Sequence, residues 1–337
     1  MMDLSVVIVN HETPGLLARC LASVKSAASA HPGLRFETIV VDNGSRDDSL
    51  DVLQESMPSA RRIALVRNRG FAAGVNRALA IRRGRHILLL NSDAEIGREL
   101  LVRGVCLLDG SPDIGVLGAA LRHPDGRAQR SVHGFPGLGA EWLSGRSRWR
   151  GSASESPVSD RPVADPVGFQ RGRDVEAVRG AVFFIRGELL EKVGFLDEGY
   201  FFFLEETDFC WRVREAGFRV VHCEALQAAH RLGASSKARV PLATRIEFHR
   251  SLYRFLDRRR GSSVATIVRT MRIIRNAGLV LGLCLAGPVS AGARSRLEER
   301  WGLLLWHLRG RPDGAGLESA LGAGAGGHGV GEGGGRR

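Results

Sequence analysis

Apolar positions in the first 120 residues fall into short continuous runs separated by stretches with helical spacing. The runs 4–9, 36–41, 63–66 and 86–90 have the length and composition of buried strands. Between them, residues 15–27 carry Leu16, Leu17, Cys20, Leu21 and Val24 on one helical face after a Thr13-Pro14 start signal. Residues 49–56 and 74–82 read as two further helices. Strands alternating with helices imply right-handed βαβ units, hence an α/β fold around a mostly parallel sheet. Ligands of such sheets bind beyond the carboxyl ends of the strands.

The alternation breaks at 121–177, a stretch rich in Gly, Pro, Ser and Arg that reads as an irregular excursion. It resumes with a strand over 178–185, a helix over 187–193, the aromatic run 200–203, a helix over 205–216 stopped by Gly217, and a strand over 218–222. From 240 to 309 the pattern is helical and basic, and 310–337 is Gly-rich and reads as disordered. The expected organisation is therefore an α/β domain over 1–236, divided as 1–120, 121–177 and 178–236, followed by a basic helical extension over 237–309 and the tail.

Composition narrows the function classes. A 44% hydrophobic and 25% charged chain is ordinary for a globular protein. No apolar run approaches the roughly 18 residues of a spanning helix. Asp3 and the short run behind it read as a first strand, not a signal peptide. The five cysteines form no CxxC pair, which disfavours a disulfide framework or structural zinc and suits a reducing compartment, so a cytoplasmic location is expected. The net charge of +12 is unevenly placed: residues 1–230 are neutral, residues 231–312 hold 17 basic and 4 acidic side chains, and the tail is slightly acidic. A cationic segment of this kind binds nucleic acid, anionic lipid or another polyanion.

The strand ends carry the candidate chemistry. The first ends in Asn10-His11-Glu12, without the GxGxxG turn of a dinucleotide-binding domain. The second ends in Asp42-Asn43-Gly44-Ser45. Asp42 could accept hydrogen bonds from a base imide or ribose hydroxyl, and the same residues equally make an Asx-turn. In Asn68-Arg69-Gly70-Phe71-Ala72-Ala73-Gly74-Val75-Asn76, the two glycines permit close backbone approach, and a helix starting at Asn76 would offer its N-terminus to an anion. The fourth strand ends in Asn91-Ser92-Asp93. There Asp93 could hold Mg²⁺ or Mn²⁺ against a diphosphate, or Ser92 or Asp93 could cap a helix.

Glu205-Glu206-Thr207-Asp208 follows the aromatic run. Three carboxylates in a first helical turn suit the helix dipole, and Asp208 with Arg212 makes an i, i+4 pair. The functional alternative is a general base among supporting carboxylates, desolvated by Phe202 and Phe203. His230 lies past the last strand as a candidate metal ligand.

Order and spacing make these motifs specific. LSVVIVNHE (4–12), VVDNGSRDDS (40–49), NRGFAAGVNRAL (68–79), LLLNSDAEI (88–96), PDGRAQRSVHGFP (124–136), the segment 179–217 and HRLGAS (230–235) together resemble the family 2 glycosyltransferases of the GT-A fold, the rhamnosyltransferase-like branch in particular. The resemblance implies a nucleotide-sugar donor, a divalent cation (Mg²⁺ or Mn²⁺) and inverting displacement at the anomeric carbon. It puts Asp42 on the base or ribose. Asn68, Gly70, Phe71, Gly74 and Asn76 shape the donor pocket, with Asn10, Asn43, Ser45 and Asn91 beside them. Asp93 falls in the DxD position and His230 in the metal or diphosphate shell. Glu206 falls on the base, with Glu205 and Asp208 flanking the acceptor. Two positions depart from the family pattern. Asn91-Ser92-Asp93 keeps one carboxylate where the motif has two, and Glu206 stands where Asp is usual, moving the carboxylate by about 1.5 Å; Glu205 and Glu206 could therefore exchange roles.

The reaction that the resemblance implies is transfer of a sugar, L-rhamnose from dTDP-rhamnose or the sugar of another dTDP- or UDP-sugar, to a polyprenol-linked or cell-envelope glycan. The apolar stretch 277–289, flanked by Arg272, Arg275, Arg294 and Arg296, suits an interfacial helix at the inner face of the membrane, or a helical pair packed on the domain or at an oligomer interface. Two rivals remain at this stage. A nucleic-acid-binding protein on a non-catalytic α/β scaffold is disfavoured because the basic region lacks interleaved aromatics. A nucleotidyltransferase is disfavoured because the first strand lacks a glycine-rich, basic phosphate loop.

Overall fold

The computed structural model describes residues 2–139, 172–231, 240–286 and 291–322. The first strands appear where apolar runs were read: β1 (Met2–Asn10), β2 (Phe36–Asp42), β3 (Arg61–Ala64) and β4 (Gly84–Asn91). They are joined by α1 (Pro14–Ala30), α2 (Ser49–Ser56) and α3 (Phe71–Leu79). Two boundaries move. The third strand ends at Ala64, leaving Val66 fully exposed, and α3 begins at Phe71 instead of 74. After β4 come β5 (Ala94–Ile96), α4 (Leu100–Gly110) and β6 (Ile114–Arg122). Because Ala94–Ile96 is a strand, Ser92 and Asp93 cap no helix.

The excursion contains short strands: β7 (Ala128–Gln129), β8 (Val132–His133), β9 (Gly172–Asp174) and β10 (Ala177–Val178). The rest of it, 140–171, lies outside the described residues. Then follow β11 (Val182–Arg186), α5 (Leu189–Val193), α6 (Glu205–Glu215) and β12 (Arg219–His230). Gly217 takes the left-handed conformation expected at a helix end. The basic extension is three helices, α7 (Pro241–Arg259), α8 (Ser262–Ala286) and α9 (Ala291–Leu308). The described start of the tail is ordered, with α10 at Leu317–Gly322, against the expectation of disorder from 310; residues 323–337 lie outside the described residues.

The main sheet runs β3-β2-β1-β4-β11-β6-β12-β5. Its first four strands are parallel, as the βαβ alternation requires. β11 then enters antiparallel to both neighbours, and β12 pairs parallel with β6, so the sheet is mixed beyond β4. Both faces are covered, which is why β1 is a continuous apolar run and not an alternating one. Val6 and Ile8 pack with α1 and α4, while Val7 faces the core built by α3 and α6.

A third core joins the extension to the α/β domain. Tyr200 and Leu204, just before α6, are buried with Ile246, Leu252, Tyr253 and Phe255 of α7. The segment 196–204 between α5 and α6 has little regular structure of its own, and helices grip it from two sides. From α3, Asn76 donates to the Leu196 carbonyl at 2.9 Å and to Glu198 at 3.0 Å, and accepts from the Leu196 N–H. The Phe71 N–H donates to the Phe201 carbonyl at 2.9 Å. From α7, Ser251 donates to the Phe202 carbonyl, and Arg254 and Arg258 pair with Asp197. Asp208, fully buried, closes the joint by pairing with Arg212 at 3.0 Å and Arg259 at 2.7 Å.

Removing a buried ion-pair partner strands the remaining charges and costs about 3–5 kcal/mol. Asp208→Ala should lower unfolding stability by about that amount. A urea-denaturation midpoint unchanged from wild type would contradict a structural role for Asp208.

Candidate active site

The carboxyl ends of β1, β2 and β4 lie side by side, since Asn10 pairs with Asp42 and Val9 with Asn91. Polar side chains at this edge cross-link the loops. Asn10 donates weakly to Asp42 at 3.5 Å and accepts from the Thr13 hydroxyl at 2.7 Å. Asp42 accepts from the Ser45 N–H at 3.0 Å, so the turn expected at this motif forms, and its carboxylate stays at the sheet edge. Ser45 accepts from the Glu12 N–H, tying the first two loops together.

Asn43 is buried and holds the next loop in place. It donates to the Asn68 side chain and the Gly70 carbonyl, both at 3.0 Å, and accepts from the Arg69 N–H. Gly70 has φ +86°, and a Cβ there would lie 2.5 Å from the Phe201 carbonyl oxygen, so only glycine fits this crossing. Two residues that the resemblance put in the donor pocket make packing contacts in the structure. Gly74 faces Val9 beneath the sheet, where it lets α3 approach β1. Asn76 lies inside α3, not at its N-terminus, and its amide is spent on Leu196 and Glu198. Phe71 stacks edge-on with Phe202.

Asp93 and His230 meet because of an irregularity in β12. The register slips between Cys223 and Gln227, after which the strand end pairs with β5 and sets His230 opposite Ala94. His230 Nε2 then lies 3.3 Å from Asp93 Oδ1, and the Arg231 N–H donates to the Asp93 carbonyl. Both side chains are nearly buried. The other imidazole nitrogen, Nδ1, faces the Gln129 carboxamide at 2.6 Å. Among the described residues, no third His, Cys, Asp or Glu completes a protein-only metal cage.

The carboxylates lie at the start of α6. Phe203 and Leu204 have φ of 72° and 69°, two successive left-handed side-chain-bearing residues that aim the first turn of the helix. Glu205 and Glu206 share this turn. Burial first, and then the charge of Glu206, hold the Glu205 carboxyl well above the ordinary carboxylate range. Burial also raises Glu206, against the pull of the helix N–H groups and the Arg179 guanidinium. Burial therefore disfavours ionisation of both carboxyls, more strongly at Glu205, while the helix N–H groups and Arg179 favour the charged form of Glu206. Glu206 Oε2 has no hydrogen-bond partner among the described residues, as does Glu205 Oε2. Gly180 lies against Glu206, and the adjacent Ala181 carbonyl accepts from the Asn91 N–H, so the start of β11 bridges the carboxylate pair and the Asn91-Ser92-Asp93 loop. Asp208 is not with its neighbours: it points away into the joint with α7, and its oxygens are taken by Arg212, Arg259 and Tyr200.

Three residues near these groups were not singled out in the sequence. Gln129 orients His230, Arg179 faces Glu206, and His133 contacts the Thr207 hydroxyl at 2.8 Å. Burial beside Arg179 and Arg130 pushes His133 down to about 3, so its imidazole is neutral. The Asp125-Gly126 pair is a hairpin signal that could have found Gln129, since the hairpin β6–β7 delivers it.

The profile of the family described as Glycosyl transferase family 2 matches residues 5–179. The chain is 28% identical over 294 residues to the N-acetylglucosaminyl-diphospho-decaprenol L-rhamnosyltransferase of Mycobacterium tuberculosis, covering 80% of this chain and 89% of that one. In fold it is similar to the mannosyltransferase PcManGT from Pyrobaculum calidifontis in complex with GDP-Man and Mn²⁺, with a TM-score of 0.52 at 14% identity over 91% of this chain and 86% of that one. It is also similar to GalNAc-T7 with UDP, GalNAc and Mn²⁺, with a TM-score of 0.51 at 15% identity over 82% of this chain and 55% of that one. The α/β domain is thus a GT-A fold, and with more than half of its length matched by the family, the chain belongs to the family 2 glycosyltransferases.

Proposed function

We propose that this glycosyltransferase inverts the anomeric carbon of dTDP-rhamnose as it transfers rhamnose to a polyprenol-diphosphate-linked sugar, with Glu206 as the base. The observation that carries the base assignment is the buried Glu206 Oε2, left without a hydrogen-bond partner among the described residues, beside Glu205, whose carboxyl is held well above the ordinary range by burial and the Glu206 charge. The transferred sugar and the acceptor class rest on the likeness to the mycobacterial rhamnosyltransferase.

The acceptor hydroxyl loses its proton to Glu206 Oε2 as its oxygen bonds to the anomeric carbon. The bond from that carbon to the diphosphate breaks with its electron pair on the leaving group. One carboxylate is sufficient for inversion, and Glu205 serves by donating to Glu206 and keeping it in place. Asp42 and Asn43 line the end of β2 where a nucleoside would lie.

Asp93 and His230 fit a divalent cation. His230 Nε2 and Asp93 Oδ1 lie 3.3 Å apart, close enough for both to hold one ion. With one nitrogen and one oxygen from the protein, the cation would draw its other ligands from the donor diphosphate and water. When bound there, the cation would offset the negative charge that develops on the leaving diphosphate.

The extension suits presentation of a lipid-linked acceptor. Ile267, Ile274, Leu281 and Leu285 are exposed along α8 at helical spacing, and Trp301 and Leu308 are exposed on α9. No helix among the described residues is long and apolar enough to cross a membrane. An apolar stripe on a cationic helical layer lies instead in the headgroup region of an anionic bilayer.

Glu206→Gln should reduce transfer from dTDP-rhamnose to the acceptor at least 100-fold, on the order expected for losing a general base, while the dTDP dissociation constant in Mn²⁺ stays within error of wild type. Full turnover in that variant would remove Glu206 as base. In co-sedimentation, vesicles containing phosphatidylglycerol should retain the protein and release it as salt rises, and the double variant Ile274→Glu/Leu281→Glu should bind them less. Equal binding to neutral and anionic vesicles, or none to either, would contradict the membrane reading.

A further inference from the structure

The hairpin formed by β6 and β7 brings one side chain to the back of His230. Leu121 pairs with Gln129 and Arg122 with Ala128 across the turn. The turn is closed by the Gly126 N–H to the His123 carbonyl, with Gly126 at φ +83°. Gln129 is buried, and the Ser131 hydroxyl, which donates to its carbonyl at 3.0 Å and accepts from the Leu121 N–H at 2.7 Å, fixes the strand around it.

The orientation of the Gln129 carboxamide is determined by its neighbours. One end lies 3.2 Å from the backbone carbonyl of His230, which can only accept, so that end must be the NH₂ group. The same nitrogen reaches His123 Nδ1 at 3.3 Å. The carbonyl oxygen is therefore the atom 2.6 Å from His230 Nδ1, and Nδ1 must carry the hydrogen it donates. The nitrogen left to face Asp93 is Nε2, at 3.3 Å. One amide thus binds both the backbone and the ring of the same histidine.

We infer that Gln129 is a positioning residue: it selects the Nδ1–H form of the His230 imidazole and turns Nε2 toward Asp93, making the pair a preorganised nitrogen–oxygen ligand set for the divalent cation. The metal part of this inference rests on the cation site proposed above. Partners of this kind behind a histidine ligand change metal affinity by about 10–100-fold when removed, because they fix both the tautomer and the ring orientation. The hairpin explains why a two-residue strand is attached to the end of β6: without it, nothing among the described residues would accept from Nδ1.

The test has two readouts. The first is the ¹⁵N–¹H imidazole spectrum of the metal-free full chain, with His230 assigned through His230→Ala. The expected wild-type signal is an Nδ1 that carries its hydrogen, retained in Gln129→Glu, which keeps an acceptor opposite Nδ1, and lost in Gln129→Met. The second is Mn²⁺ affinity in the presence of dTDP, followed by electron paramagnetic resonance of the free ion. Gln129→Met should weaken it about 10–100-fold, His230→Ala at least as much, and Gln129→Glu less than either. An unchanged tautomer in Gln129→Met, or a Mn²⁺ affinity that falls in His230→Ala and not in Gln129→Met, overturns the role of Gln129. If His230→Ala and Asp93→Ala both leave Mn²⁺ affinity unchanged, the cation site is what fails, and the tautomer spectrum still decides whether Gln129 fixes the ring.

Discussion

The grip of two helices on segment 196–204 is the constraint on which the active site depends. This segment carries two successive left-handed residues, Phe203 and Leu204, at a cost of about 1–2 kcal/mol each relative to ordinary backbone. Left alone it would relax. It is held because α3 binds it at Leu196 through Asn76 and at Phe201 through Phe71, and α7 binds it at Asp197 through Arg254 and Arg258 and at Phe202 through Ser251, with Leu204 itself buried in the third core. The strained turn sets the first turn of α6, in which Glu206 lies against Gly180 before β11 while Asp208 points into the joint with α7.

This arrangement gives the C-terminal helices a double role. The inner face of α7 buttresses the carboxylates through Asp208–Arg259 and the aromatic contacts of the third core. The outer side of α8 leaves its apolar stripe exposed. Packing on the domain and contact with a membrane, which look like alternatives in the sequence, use different faces of the same layer. The cationic charge divides in the same way: Arg254, Arg258 and Arg259 are engaged by Asp197 and Asp208, so part of the basic excess is structural. Family membership removes the reading in which the α/β domain is a non-catalytic scaffold for a nucleic-acid-binding segment.

Much of the fold is legible in the sequence because both faces of the sheet are covered: β1, β2 and β4 show as uninterrupted apolar runs, and the intervening helices keep their spacing. The entry of β11 antiparallel to β4 is not legible, since the run 178–185 looks the same in either direction. At the site, Asp93, His230, Glu205 and Glu206 are visible as motif residues, yet their meeting depends on long-range features. The slip in β12 that brings His230 to Asp93, and the hairpin that brings Gln129 behind it, leave only a weak local trace. Asn76, Gly74 and Asp208 show the opposite relation between motif and contact. Each sits inside a motif string, and each spends its chemistry on packing helices against the sheet or one another.

The measurement that bears most directly on this account is the effect of Asn76→Ala on kcat and on donor affinity, taken separately with dTDP-rhamnose and a GlcNAc-diphospho-polyprenol acceptor. Asn76 touches neither carboxylate, but it anchors the segment that presents them, and misplacing a catalytic group by an ångström costs on the order of 100-fold in rate. The expected result is a kcat lowered by about that factor with the donor dissociation constant unchanged. A variant that loses donor affinity and keeps kcat would place Asn76 in the donor pocket, and the positioning of Glu206 would then not depend on this anchor.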